Sequence, residues 1–177
     1  MKFAVLMLLT VPVWAQAPLK VVVAPSTEAP GVPRKVFTDL ESGIDYKFRV
    51  ANDKDPFDLL GLTRGLYLPG YGAVITTELS LIVTPTINPF RMKITPEVAA
   101  NVHQRKIDHL PLLKKTMRDM WRDAALGLSS IPDSDQVVLA VRLLYQPWED
   151  TTGLPGQIVM KGARKAALTG DIQTEEQ

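Results

Sequence analysis

The chain contains no cysteine. Disulfide scaffolds, thiolate metal sites and acylated lipoprotein anchors all require that residue, so each is excluded. An excess of charge of one sign is missing as well. The 20 basic and 19 acidic residues nearly cancel, which leaves no field of the kind that draws a protein onto nucleic acid, and nucleic-acid binding is excluded on that ground. Histidine is scarce. His103 and His109 are the only two, and on a helix of about 3.6 residues per turn their spacing points them about 240° apart, which no single metal ion bridges. They read as ordinary surface histidines. The patterns H-E-x-x-H, G-x-S-x-G and S-x-x-K are all absent, so the common hydrolase classes have no motif behind them. Nothing in the chain calls for a cofactor.

What is present is a composition of 46% hydrophobic and 22% charged residues over 177 positions, enough for one globular domain with a real core. The opening stretch MKFAVLMLLTVPVWAQA places Lys2 before an apolar run from Phe3 to Val13 and then reaches the small residues Ala15 and Ala17. This is the layout of a secretory signal peptide over residues 1–15, with cleavage after Ala15 or, alternatively, after Ala17. A membrane anchor needs about 20 apolar residues, and Gln16, Pro18 and Lys20 interrupt too early. No membrane insertion is expected after cleavage. Removing Lys2 leaves 19 basic against 19 acidic residues. A formally neutral, cysteine-free exported chain that relies on its core alone suits a bacterial periplasm, or secretion.

Residues 16–34 carry Pro18, Pro25, Pro30 and Pro33 around LKVVVA, and read as an extended lead-in whose valines favour an added edge strand over 20–24. The single domain then spans 35–168, and 169–177 is polar and acidic, a tail expected to fray. In IDYKFRVAN the apolar Ile44, Tyr46, Phe48 and Val50 alternate with Asp45, Lys47 and Arg49, the period-two pattern of a strand with one wet face. Asp53, Asp55 and Asp58 follow around Pro56. A calcium loop counted from Asp53 would need glycine at its sixth position and glutamate at its twelfth, where Asp58 and Arg64 stand; capping or turn formation is the better reading.

The stretch RGLYLPGYG, Arg64 to Gly72, raises the question of a phosphate loop, because Gly65 and Gly70 have the G-x-x-x-x-G spacing. A phosphate loop continues with Lys and Ser or Thr and then a helix. Here Tyr71 and Gly72 continue, and AVITTELSLIV alternates as a strand. Pro69-Gly70 suits the centre of a type II turn. The expectation is therefore a hairpin, with strands over 65–68 and 72–84. Tyr67 and Tyr71 are candidates to line a groove beside it.

Thr95, Pro96 and Glu97 mark a helix start by cap, first-turn proline and dipole. From there Leu110, Leu113, Met117, Met120, Trp121, Ala124 and Leu128 recur at three or four residues, one apolar stripe for a sheet to cover. Pro111 predicts a kink or a split into 96–108 and 111–126. QVVLAVRLLYQ is apolar on both faces apart from Arg142, the look of a central strand, and QIVMKG is a further short strand. Trp148, Glu149 and Asp150 share a loop, where two carboxylates beside an indole suit a cation or a sugar, although a chain reversal capped by Asp and packed by Trp is the commoner outcome of such a pattern.

The order predicts an α+β domain: a mainly antiparallel sheet with a hairpin over 65–84, covered on one face by a helical layer over 96–128. Export, neutrality and the lack of catalytic motifs point to a non-enzymatic binding or assembly module of the envelope, its partner an envelope protein or a small ligand. The alternative is an exported enzyme using Glu78, Glu149 or Asp150 with Arg64 in a cleft. The low-specificity candidate binding residues are thus Arg64, Tyr67, Tyr71, Glu78, Trp148, Glu149 and Asp150. Their convergence in one concavity is what separates the two readings.

Overall fold

A computed structural model of the chain describes residues 31–87 and 93–177. The expected signal peptide, its cleavage site and the 20–24 strand lie outside the described residues. The elements in chain order are α1 (Arg34–Val50), β1 (Asp58–Leu59), β2 (Arg64–Leu68), β3 (Gly72–Ser80), α2 (Pro96–Gly127), β4 (Gln136–Leu143), β5 (Gln157–Ala163), α3 (Ala166–Thr169) and β6 (Gln173–Glu176). This is an α+β domain built on one mixed sheet. β1 and β2 share one edge of β3, and the sheet continues through β4 and β5 to β6. Every pairing is antiparallel except β3 with β4, and that parallel pair is joined by the α2 crossover such a pair requires.

The strand expected at IDYKFRVAN is instead the second half of α1. Phe37, Glu41, Ile44 and Phe48 are its buried residues, spaced four, three and four apart, while Tyr46 and Val50 are exposed. Ile44 and Phe48 fit both periods. The helical one wins because it extends back to Phe37 and gives one contiguous buried stripe, within which Glu41 is paired with Arg34 and the Gly65 amide. The lead-in accordingly ends where α1 begins, at Arg34.

The long helix starts where its signals place it. The Thr95 hydroxyl accepts from the Val98 amide at 3.4 Å, and Leu128 closes the other end by donating its amide to the Ala124 carbonyl. Neither a split nor a second helix appears at Pro111; α2 runs through it, giving up the one hydrogen bond that proline cannot donate. Leu113, Met117, Met120, Trp121, Ala124 and Leu128 are buried as the stripe predicts, each large side chain contributing about 1.5–3 kcal/mol by leaving water.

Both long helices pack on the same face of the sheet. Trp121 donates its indole N–H to the Val137 carbonyl at 2.8 Å, Phe37 lies so close to Gly65 that a Cβ there would sit 2.4 Å from its ring, and the core cluster joins both helices to Ala73, Ile75, Leu79, Val137, Leu139 and Val141.

Three other expectations change. Asp55 is neither cap nor turn former: Arg105 grips both its oxygens, at 2.7 and 3.2 Å, and His109 Nε2 lies 3.1 Å from it. His109 is therefore no surface histidine, being largely buried edge-on to Phe57. The acidic tail is not frayed. It contributes β6, tied to α2 by Lys114 and Glu176 at 2.6 Å and to β5 by Lys161 and Glu175 at 2.6 Å.

Candidate binding surface

The hairpin forms as the turn chemistry dictates. Tyr71 donates its amide to the Leu68 carbonyl at 3.0 Å and Gly70 takes φ of 78°, the geometry of a type II turn. Gly72 has a second function. Its β carbon would sit 1.9 Å from the Gln136 carbonyl oxygen, so only glycine lets β3 approach β4 at the start of their ladder.

The register sorts the remaining strand residues onto two faces. Opposite the helices, Leu66 pairs with Val74, Val74 with Val138 and Val138 with Lys161; one row on, Arg64 pairs with Thr76, Thr76 with Ala140 and Ala140 with Val159. The third row is Glu78, Arg142 and Gln157. Among the described residues no helix lies on this face. Val138 is only 8% exposed yet stands outside the core cluster, between its register partners Val74 and Lys161. At the sheet edge Leu66 and Leu68 are 50% and 44% exposed. The centre is thus apolar across β2 to β5, with charges at its rims. Glu78 and Arg142 lie 3.3 Å apart at one rim, and Lys161 pairs with Glu175 at the other, where the hydrogen bond and charge of Glu175 hold the Lys161 ammonium above its ordinary pKa. A groove of about 410 Å³ runs along the first rim between Leu62, Arg64, Thr76, Glu78, Arg142 and Gln157.

Of the sequence candidates, Arg64 and Glu78 meet in this groove. Tyr71 belongs to the opposite end of β3, seven residues from Glu78, or about 23 Å along an extended strand. Tyr67 points to the helix side and donates its hydroxyl to the Asp135 carboxylate at 2.9 Å, a bond that raises its pKa.

The Trp148–Asp150 loop stands apart again, against α2. Glu149 accepts from the Gln146 amide at 2.8 Å with one oxygen and meets Lys106 at 2.5 Å with the other. Both side chains are buried, at 0% exposure for Lys106 and 2% for Glu149. Burial lowers the Lys106 pKa while Glu149 opposes that shift, and the Lys106 ammonium sits 4.9 Å from the centre of the Tyr145 ring. Asp150 accepts from the Thr152 amide at 2.9 Å, which holds its carboxyl below the ordinary range. Glu149 therefore anchors the loop to the helix, and Asp150 shapes the turn that follows.

Among the described residues no group of three or more His, Asp or Glu side chains is arranged to hold a metal ion, and no helix is long and apolar enough to cross a membrane. Comparisons with family models, with curated proteins and with solved structures give no match for this chain. The sequence reading missed Leu66, Leu68, Val74 and Val159 as surface, whereas β4 is central in the sheet as expected, with Val138 nearly buried. The available signal was the two-faced apolarity of β4, taken as burial on both sides.

Proposed function

We propose that this chain is an exported, non-enzymatic binding or assembly module of the bacterial envelope, and that its open sheet face receives an extended apolar segment of a protein partner. The observation carrying this reading is the apolar centre of the face on which, among the described residues, no helix lies: Leu66, Val74 and Val138 in one row and Ala140 and Val159 in the next. Small-molecule sites are concave and enclose their ligands. A broad sheet surface with charged rims instead matches the apolar centre and polar border of protein interfaces. Export rests on the signal-like N-terminus and the absence of cysteine.

The enzyme alternative retains Arg64 and Glu78 in one groove. It lacks a second carboxylate there, since Glu149 and Asp150 are engaged elsewhere.

The test is capture from envelope extract by the wild-type protein, by Leu66→Glu with Leu68→Glu, and by Arg118→Glu on the exposed side of α2. A protein captured by the wild type and by Arg118→Glu, and lost at least about tenfold from the face variant, is the expected result; one contact-centre residue is commonly worth that much. Equal capture by all three would remove the face from consideration.

A further inference from the structure

We propose that the open sheet face selects its protein partner by an acidic residue, whose carboxylate is received between Arg64 and Arg142 while apolar side chains two residues to either side lie on the leucines of β2. This rests on the reading of that face as the binding surface, and names the chemistry by which it tells one extended segment from another.

The first argument is the alternation from Leu62 to Leu68. Leu62, Arg64, Leu66 and Leu68 are exposed, whereas Thr63 and Gly65 are buried and Tyr67 turns to the helix side. The three leucines are 57%, 50% and 44% exposed. Successive exposed residues of an extended chain stand about 6.7 Å apart, so this outer column of the face reads leucine, arginine, leucine, leucine at one constant step. An extended partner segment has the same step on the side it turns to the face. Its matching pattern is apolar, any, acidic, any, apolar, any, apolar, in either chain direction.

The second argument is the charge of the groove that interrupts the leucines. Arg64 stands across Thr76 from Ala140, Arg142 is two residues beyond Ala140 on β4, and both arginines line the same groove of about 410 Å³. Only the small Thr76 and Ala140 lie between them. Arg142 has Glu78 at 3.3 Å. Among the described residues Arg64 meets no carboxylate, its guanidinium donating only to the Thr63 carbonyl at 3.4 Å. Two guanidiniums against one carboxylate leave a single positive charge, which one further carboxylate matches and for which the planar arginine fork is shaped. A phosphate carries close to two negative charges at pH 7 and would oppose Glu78.

The third argument is that the partner must approach over the face. The edge of β2 is closed at its midpoint, because the Gly65 amide donates to Glu41 at 2.8 Å and its carbonyl accepts from Arg34 at 3.1 Å. An added strand finds no backbone groups there. Recognition therefore falls to side chains, and Arg64 is the one charged residue in the leucine column.

The test is selection of random twelve-residue peptides, displayed on phage, against the full exported protein, keeping those that the wild type retains and Leu66→Glu with Leu68→Glu does not. The kept sequences should carry Asp or Glu at one position, with apolar residues two places to either side. In the best of them, changing that residue to Asn or Gln should weaken binding, read by fluorescence anisotropy, about fivefold, and Arg64→Gln in the protein should do the same. Repeating the selection on Arg64→Glu with Arg142→Glu, both exposed positions whose exchange should leave the circular dichroism spectrum unchanged, should replace the acidic preference by Lys or Arg. Face-dependent peptides without an acidic preference, or with one that charge reversal leaves in place, would overturn the carboxylate and leave the binding face standing. Acidic peptides whose retention ignores Leu66 and Leu68 would be held by charge alone, which also overturns the proposal. If no peptide depends on the face, the binding reading fails and the carboxylate with it.

Discussion

An alanine at Gly70 and an alanine at Gly72 meet different obstacles. At Gly70, φ is 78° and an added Cβ has nothing within 4 Å, so the only penalty is a strained backbone, about 1 kcal/mol. At Gly72, φ is 137° and the same atom would sit 1.9 Å from the Gln136 carbonyl oxygen. Backbone cannot swing aside as a side chain does, so the β3–β4 ladder must part at its first pair, and we expect a loss of about 3 kcal/mol or more. Urea unfolding of the two variants measures the difference, and equal losses would show that the approach of the two strands is not tight. The role of Gly70 was legible in the sequence because a Pro-Gly turn is a local matter. That of Gly72 was not, since its obstacle belongs to a residue 64 positions away, and Gly65 is hidden in the same way beneath Phe37 of α1.

Elements with their own start and stop chemistry were legible for the same reason. Thr95-Pro96-Glu97 and the Leu113 to Leu128 stripe locate α2, and the alternation after Gly72 locates β3. α1 was misread because Ile44 and Phe48 satisfy both periods, and the residues that decide, Phe37 and Glu41, lie in a stretch without a capping signal. The Tyr145–Asp150 loop shows the reverse limit: its residue types suggest a ligand, but Lys106 on a distant helix has claimed Glu149. That packing has a consequence at high pH. Burial, aided by the charge of Glu149, pushes the Tyr145 phenol from 10.0 up to about 12. Its folded pKa thus exceeds its unfolded one, so its contribution to stability is complete below about pH 10 and is lost as pH rises toward 12. Tyr145→Phe also forfeits a 2.7 Å bond to the Pro155 carbonyl, so at pH 7 it should be about 1 kcal/mol less stable than wild type. The gap should close or reverse by pH 11, because the unfolded wild-type chain then ionises its tyrosine while the folded one, with its phenol held near 12, does not. Urea midpoints at the two pH values test this, and an unchanged gap would mean that Tyr145 is effectively solvated.

At the scale of the whole molecule, the described residues form a two-layer arrangement with both long helices on one sheet face, and the apolarity of β4 on both of its faces did not tell which face they would take. The covered face is a single cluster that joins α1, α2, the sheet and α3, so helices and sheet should lose their structure together. Trp121 sits at the centre of that cluster, fully buried, with Gly162 beneath its ring and its indole bonded to Val137. Trp121→Ala removes a large core side chain and leaves the Val137 carbonyl without its donor, for an expected loss of about 3–5 kcal/mol. The substitution also leaves Trp148 as the fluorophore of the described domain, on a loop held by α2 at one end of the sheet. Helix loss by circular dichroism and the change in Trp148 emission should then follow one urea transition, shifted to lower concentration but not divided. Two separated transitions would show that α2 and the sheet hold together as two weakly coupled units, and a shift worth less than about 1 kcal/mol, typical of an exposed position, would show that this face is not the core.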